Sequence, residues 1–233
     1  LIDLLAGGGN SQEVNASLID LRARLLTREA FAELPVRVLV NGERRWWQLS
    51  GTPKIDGSGR FTGFHGVASD ITIERENTDK IAYLARHDTL TGLPNRSMLS
   101  ENLTKALRYA EHTGTPCAFL MIDLDRFKAV NDTLGHQVGD QLLAQLSDRL
   151  HAEMGDGQLC CRMGGDEFAV IVSHAHDAKH IANVAHCLID RLSQPYMIGQ
   201  HTLSVGASIG SALGPRDGAT VETFGELCDL IGV

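Results

Sequence analysis

Val14, Leu18, Leu21 and Leu25 recur at helical spacing, so residues 11–33 read as a helix, and Pro35 then breaks the pattern. Beyond it the period shortens to two. Residues 36–40 lead into Asn41-Gly42, the strongest short hairpin signal, and residues 44–50 return. A second turn, Asp56-Gly57-Ser58-Gly59, leads into residues 61–69 and completes a three-stranded antiparallel meander. Residues 72–87 are charged and helix-prone, with Asn77, Ile81 and Leu84 on one stripe. They form a linker helix, either a solvated connector or a short two-stranded coiled coil. From His87 onward helix and strand alternate. Helices are predicted at 97–110, with Leu99, Leu103 and Leu107 on one face, and at 140–154 and 177–192. Strands are predicted at 117–122, 159–163, 168–172 and 203–212. That order gives a central sheet with helices packed against it.

The chemistry gathers at Gly164-Gly165-Asp166-Glu167-Phe168, between two apolar runs. Two glycines permit positive φ and a tight hairpin, which sets the acidic pair at an exposed tip. Adjacent acids repel unless a cation sits between them or one takes up a proton. Upstream, Asp123-Leu124-Asp125 follows the apolar run 117–122. If those strands are neighbours, three or four carboxylates converge at one sheet end, a hard-cation site that points to phosphate chemistry.

The whole-chain numbers narrow the classes. A length of 233 residues can bury a full core. The net charge of −8 argues against sequence-independent binding to nucleic acid, which needs a basic face. The longest apolar run, 117–122, is too short for a bilayer, which takes roughly 20 residues. The chain starts at Leu1 rather than Met and so reads as a piece of a longer protein, with upstream membrane tethering left open. Cys117, Cys160, Cys161, Cys187 and Cys228 show no metal-ligand spacing, and Cys117, Cys160 and Cys187 read as small buried hydrophobes. A reducing, cytoplasmic setting is expected.

Two resemblances follow from motifs. Trp46-Trp47, the turn Ser50-Gly51-Thr52-Pro53, the strand Gly63-Phe64-His65-Gly66-Val67 and its ending Asp70-Ile71-Thr72 resemble the C-terminal half of a PAS sensor domain. Further on, Asp88-Thr89-Leu90-Thr91-Gly92-Leu93-Pro94-Asn95-Arg96, then 123–128, then Asn131-Asp132-Thr133-Leu134-Gly135-His136, then Gly139-Asp140, then 162–168 stand in register. Together they resemble the GGDEF family, the diguanylate cyclases. The resemblance implies a partial PAS domain at 1–71, a linker at 72–87 and a GGDEF domain at 88–233. It implies an adenylate-cyclase-like, ferredoxin-related α/β (α+β) fold that joins two GTP molecules into cyclic di-GMP.

Carried over by motif, Asp123 and Asp166 are Mg²⁺ (or Mn²⁺) ligands, with the Leu124 carbonyl as a third. Glu167 either joins the metal or deprotonates the attacking 3′-hydroxyl. Asp125 reads as a capping or orienting acid. Arg126-Phe127-Lys128 opens a short helical turn whose N–H groups and Lys128 cation suit the β- and γ-phosphates, with Gly164 and Gly165 beside them. Asn131 and Asp140 match the guanine readers, and Asp140 also reads as a helix N-cap. Asp88 to Arg96 is structural, with an Asp88–Arg96 ion pair expected, and His136 reads either as a core histidine or as one that supports a site residue from behind. Two departures stand out. The product-inhibition motif Arg-x-x-Asp is replaced by Gly155 and Gln158, so no such site is expected. The family's terminal Lys and Arg would fall beyond 229–233. Catalysis implies a homodimer. The alternative is a non-catalytic GTP-binding module controlling an attached phosphodiesterase domain. A purely structural dimerisation unit leaves the acid pair unexplained.

Overall fold

Each run of alternating residues becomes a strand. The protein is described by a computed structural model at residues 16–175, 177–217 and 223. Along the sequence it divides into two units after Ala82.

In the first unit, helix α1 (Ala16–Thr27) precedes strands β1 (Phe31–Val40), β2 (Glu43–Ile55) and β3 (Phe61–Asp70), which form an antiparallel sheet in that order. The helix is shorter than the 11–33 expected. Arg28 takes φ +57 just past its end, and β1 starts before Pro35. Proline is therefore not the breaker; it sits in an edge strand, where a missing N–H is tolerated. Val14 and its neighbours lie outside the described residues. Asn41 and Gly42 both take positive φ, +52 and +83, the pair a two-residue hairpin needs to match strand twist. Leu21 of α1 buries against Val36, Val38 and Leu49.

At the end of β3, the Asp70 carboxylate accepts from Thr72 N at 3.0 Å, and Thr72 Oγ1 accepts from Trp46 N at 2.8 Å. These bonds start helix α2 (Thr72–Leu84), the expected linker. None of its residues is buried, and Ile73, Ile81 and Leu84 face outward.

The second unit is built on β4 (Cys117–Asp125), β5 (Gln158–Gly164), β6 (Glu167–Val172) and β9 (Gly206–Gly214), antiparallel in the order β5-β6-β4-β9. Even-numbered residues of β4 and β6 (Leu120, Ile122, Phe168, Val170) pack with helices α5 (His136–Ala152) and α6 (Ala178–Leu192). Odd-numbered ones (Phe119, Ala169, Ile171) pack with α3 (Arg96–Thr113). The period of two thus sorts each side chain to one layer. The short helix α4 (Phe127–Leu134) joins β4 to α5.

Four expectations change. The strand predicted at 203–212 is β9, which starts later, at Gly206, and an unpredicted small hairpin, β7 (Tyr196–Ile198) and β8 (His201–Leu203), precedes it. Gly199, at φ +60, makes its turn. Helix α5 begins at His136, not near 140, because Gly135 at φ +86 ends α4 and opens α5. His136 is exposed at that start rather than in the core. Cys187 is exposed as well, since α6 turns Ile181, Leu188 and Leu192 inward and leaves position 187 on another side. Cys228 lies outside the described residues.

Candidate active site

The β4–β6 ladder pairs Met121 with Ala169 and Ile122 with Phe168. One further step along each strand reaches Asp123 and Glu167, both odd-numbered and so on the face that α3 shares. Both are exposed. Asp166 sits in the two-residue turn between the paired Gly164 and Glu167, and is half-buried. Gly164 at φ +144 and Gly165 at φ +54 adopt conformations that a side chain would oppose, which is why the acids can follow so closely on β5. Asp123, Asp166 and Glu167 therefore come to one end of the sheet, as expected.

They are not a closed cage. Among the described residues, no three His, Cys, Asp or Glu side chains are gathered as metal ligands. Asp125 is turned to other work: it accepts from Ser208 Oγ at 2.8 Å, and its carboxylate lies against Gly206, tying β4 to β9. Leu124 is buried and stays paired with Ala207. The donors at this end are all oxygen, the set a hard divalent cation takes, with an open side for a ligand's own oxygens.

Directly after β4, Arg126 takes φ +63, a left-handed turn that costs a non-glycine residue about 1 kcal/mol. The turn swings the chain into α4. Ala129 N and Val130 N both donate to Arg126 O, at 3.0 and 3.3 Å. The N–H groups of Phe127 and Lys128 precede them at the helix start, where such groups lack intrahelical partners. Phe127 is buried as an anchor, whereas Arg126 and Lys128 are exposed.

Asn131 lies one turn further along α4. Its Oδ1 is buried with no hydrogen-bond partner, a costly arrangement for a polar atom. Its side chain rests over Gly139 of α5, next to Asp140. Asp140 is exposed and falls within α5, so it does not cap the helix; the cap position is Gly135.

A residue outside the expected set holds the hairpin. Arg162 is nearly buried, its side chain 10% exposed, and donates to Gly165 O at 3.2 Å through Nε and 2.7 Å through Nη2. Its Nη1 reaches Asp88 Oδ1 at 2.8 Å, and its backbone N donates to Pro94 O at 2.9 Å. The expected Asp88–Arg96 pair is thus corrected: Arg96 is exposed at the start of α3, and Asp88 is taken by Arg162. Partial burial pushes the Asp88 carboxyl up, but hydrogen bonds from Thr91 and Arg162 outweigh it and hold the carboxyl below its ordinary value. An arginine inside the apolar run 159–163 was the available signal, because a charge there needs a buried partner.

The expected absence of a charged pair at 155 and 158 has a local counterpart. Gly155 N donates to Gln158 Oε1, and Gln158 N donates to Gly155 O, both at 3.1 Å, which closes the loop on itself. The family's terminal cations fall outside the described residues.

A four-stranded antiparallel sheet covered by helices on both faces, with an acidic hairpin tip beside a helix start, matches one family. Residues 85–230 fit the family described as "Diguanylate cyclase, GGDEF domain", and the chain belongs to it. Similar proteins include the bifunctional diguanylate cyclase/cyclic di-GMP phosphodiesterase MucR of Pseudomonas aeruginosa. It is 42% identical over 149 residues, 64% of this chain and 22% of MucR. The solved GGDEF domain of TpbB from the same organism is 35% identical with a TM-score of 0.59, over 62% of this chain and 85% of that one. A sensory box/GGDEF family protein from Caulobacter crescentus is 37% identical with a TM-score of 0.60, over 63% of this chain and 94% of that one. The chain spans about a fifth of MucR and a third of the full diguanylate cyclase TpbB. Among the described residues no helix is long and apolar enough to cross a membrane.

Proposed function

We propose that residues 88–233 form a diguanylate cyclase domain that condenses two GTP into cyclic di-GMP and two pyrophosphates. The observation that carries the reading is the meeting of Asp123, Asp166 and Glu167 at one sheet end, beside a helix start ready for phosphate. Asp123, Asp166 and the Leu124 carbonyl would hold Mg²⁺ or Mn²⁺. When bound, the metal offsets triphosphate charge and makes the 3′-hydroxyl a better nucleophile. The N–H groups of Phe127 and Lys128 and the Lys128 ammonium would receive the β- and γ-phosphates, with Arg126, Gly164 and Gly165 flanking them. Asn131 and Asp140 would read guanine, the carboxylate accepting from its N1–H and 2-amino group. Glu167 stands ready either to accept the 3′-hydroxyl proton or to join the metal.

One domain holds one GTP, and each 3′-hydroxyl must attack the other α-phosphate, so two domains face each other with two-fold symmetry. The exposed stripe on α2 and the N-terminal meander, read as half of a PAS sensor, are the means of pairing and control. The site is expected to work in the cytoplasm, where GTP is available. A second reading, a GTP-binding regulator of an attached phosphodiesterase, is suggested by the relative MucR, described as a bifunctional diguanylate cyclase/cyclic di-GMP phosphodiesterase. Incubating the full-length protein with GTP and Mg²⁺ and separating the nucleotides by chromatography decides between them. Cyclic di-GMP and pyrophosphate in a 1:2 ratio support the cyclase; GTP binding without turnover supports the regulator.

A further inference from the structure

Asn131 Oδ1 is buried and unpartnered, and the atoms pressed against it belong to Gly139. A Cβ built on Gly139 would collide with that Oδ1, stand 3.0 Å from Asn131 Cγ and 3.3 Å from Phe127 Cζ. Gly139 is itself buried and lies inside α5, where its backbone is helical. Glycine in a helix normally weakens it, and alanine would be the better helix former. No turn and no left-handed φ calls for glycine here. What the position supplies is space, and the group that occupies it is the Asn131 amide.

The neighbours leave that amide little room to retreat. The Asn131 backbone carbonyl accepts from Gly135 N at 2.9 Å, which locks the end of α4. Phe127 is buried beneath, within the core that α5 and the sheet share. A side chain at 139 can be accommodated only by rotating the Asn131 amide out of its seat or by prising α4 from α5.

We infer that Gly139 is a positioning residue: its missing side chain lets Asn131 Oδ1 seat against α5, and that seat sets how the rest of the amide meets the base of the bound nucleotide. The inference rests on the reading of Asn131 as a base contact. Gly139 touches no substrate and acts only through Asn131.

Two measurements on the full-length protein test it. The first is a thermal double-mutant cycle, which needs no nucleotide. Gly139→Ala lowers the midpoint when Asn131 is present and does so much less, or raises it, in an Asn131→Ala background, where the collision partner is gone. An equal shift in both backgrounds overturns the inference. The second uses α,β-methylene GTP and α,β-methylene ATP, which cannot release pyrophosphate, as calorimetric probes. Wild type prefers the guanine compound, and Gly139→Ala loses at least tenfold in affinity for it while its affinity for the adenine compound changes less than threefold. With GTP as substrate, KM rises while kcat stays within threefold. A Gly139→Ala variant that binds the guanine probe within twofold of wild type overturns the role of Gly139 alone. A wild type without base preference overturns the reading of Asn131 on which it rests.

Discussion

Single residues decide how much of the acid and thiol chemistry is available. Burial raises the Cys160 thiol to about 11 and the Cys161 thiol to about 12, and Cys117 is raised by the same cause. Cys187 is exposed. Mass spectrometry after brief alkylation at neutral pH is expected to find adduct at Cys187 and none at the three buried thiols. The sequence misread Cys187 because its apolar neighbours signal a buried face, whereas helical rotation decides which member of a run looks outward. Arg126 offers a second case. Its left-handed backbone follows from tertiary geometry that no local motif announces. Arg126→Gly is expected to stabilise the fold by up to about 1 kcal/mol in urea titration, by relieving the turn. The same change is expected to weaken GTP binding through the lost cation.

Elements carried most of the legible information. Short apolar runs located β4, β5 and β6 to within three residues, and the glycine pair marked the hairpin between β5 and β6. The two short strands β7 and β8 escaped because three residues each are too few to establish a period. The partner of Asp88 escaped for another reason: Arg162 is 74 residues away in sequence, and only the folded sheet edge joins them. That pair fastens the 88–94 loop to the hairpin turn. Its stability has a defined pH window. With the Asp88 carboxyl held below its ordinary 3.8, the contribution is complete above that value and is lost as pH falls through the lower folded value. Arg162→Ala is expected to cost about 2–3 kcal/mol at neutral pH, between the values for exposed and buried pairs. The difference from wild type in denaturant titrations is expected to shrink below pH 4, because Asp88 protonation removes the same interaction. A constant difference down to pH 2.5 would show that the Asp88 ion pair contributes little of it.

At the scale of the whole molecule, regulation follows from what stands at 155 and 158. Gly155 and Gln158 satisfy each other and offer no charge to a dinucleotide phosphate. Initial rates are therefore expected to be unchanged by cyclic di-GMP added at micromolar concentration, and a crystal soak showing product dimers against residues 155–162 would count against this. Pairing is expected to be weak without nucleotide, since the surfaces proposed to meet carry Asp166 and Glu167 tips that repel until cations arrive. Light scattering with and without the α,β-methylene GTP analogue and Mg²⁺ checks that. The central claim is that acids from two strands, brought to one sheet end, perform nucleotidyl transfer. Its most direct test is cyclic di-GMP formation by full-length Asp123→Ala and Asp166→Ala variants that keep the wild-type circular dichroism spectrum. The account predicts that both lose turnover by at least a hundredfold; activity within threefold of wild type in both would contradict it.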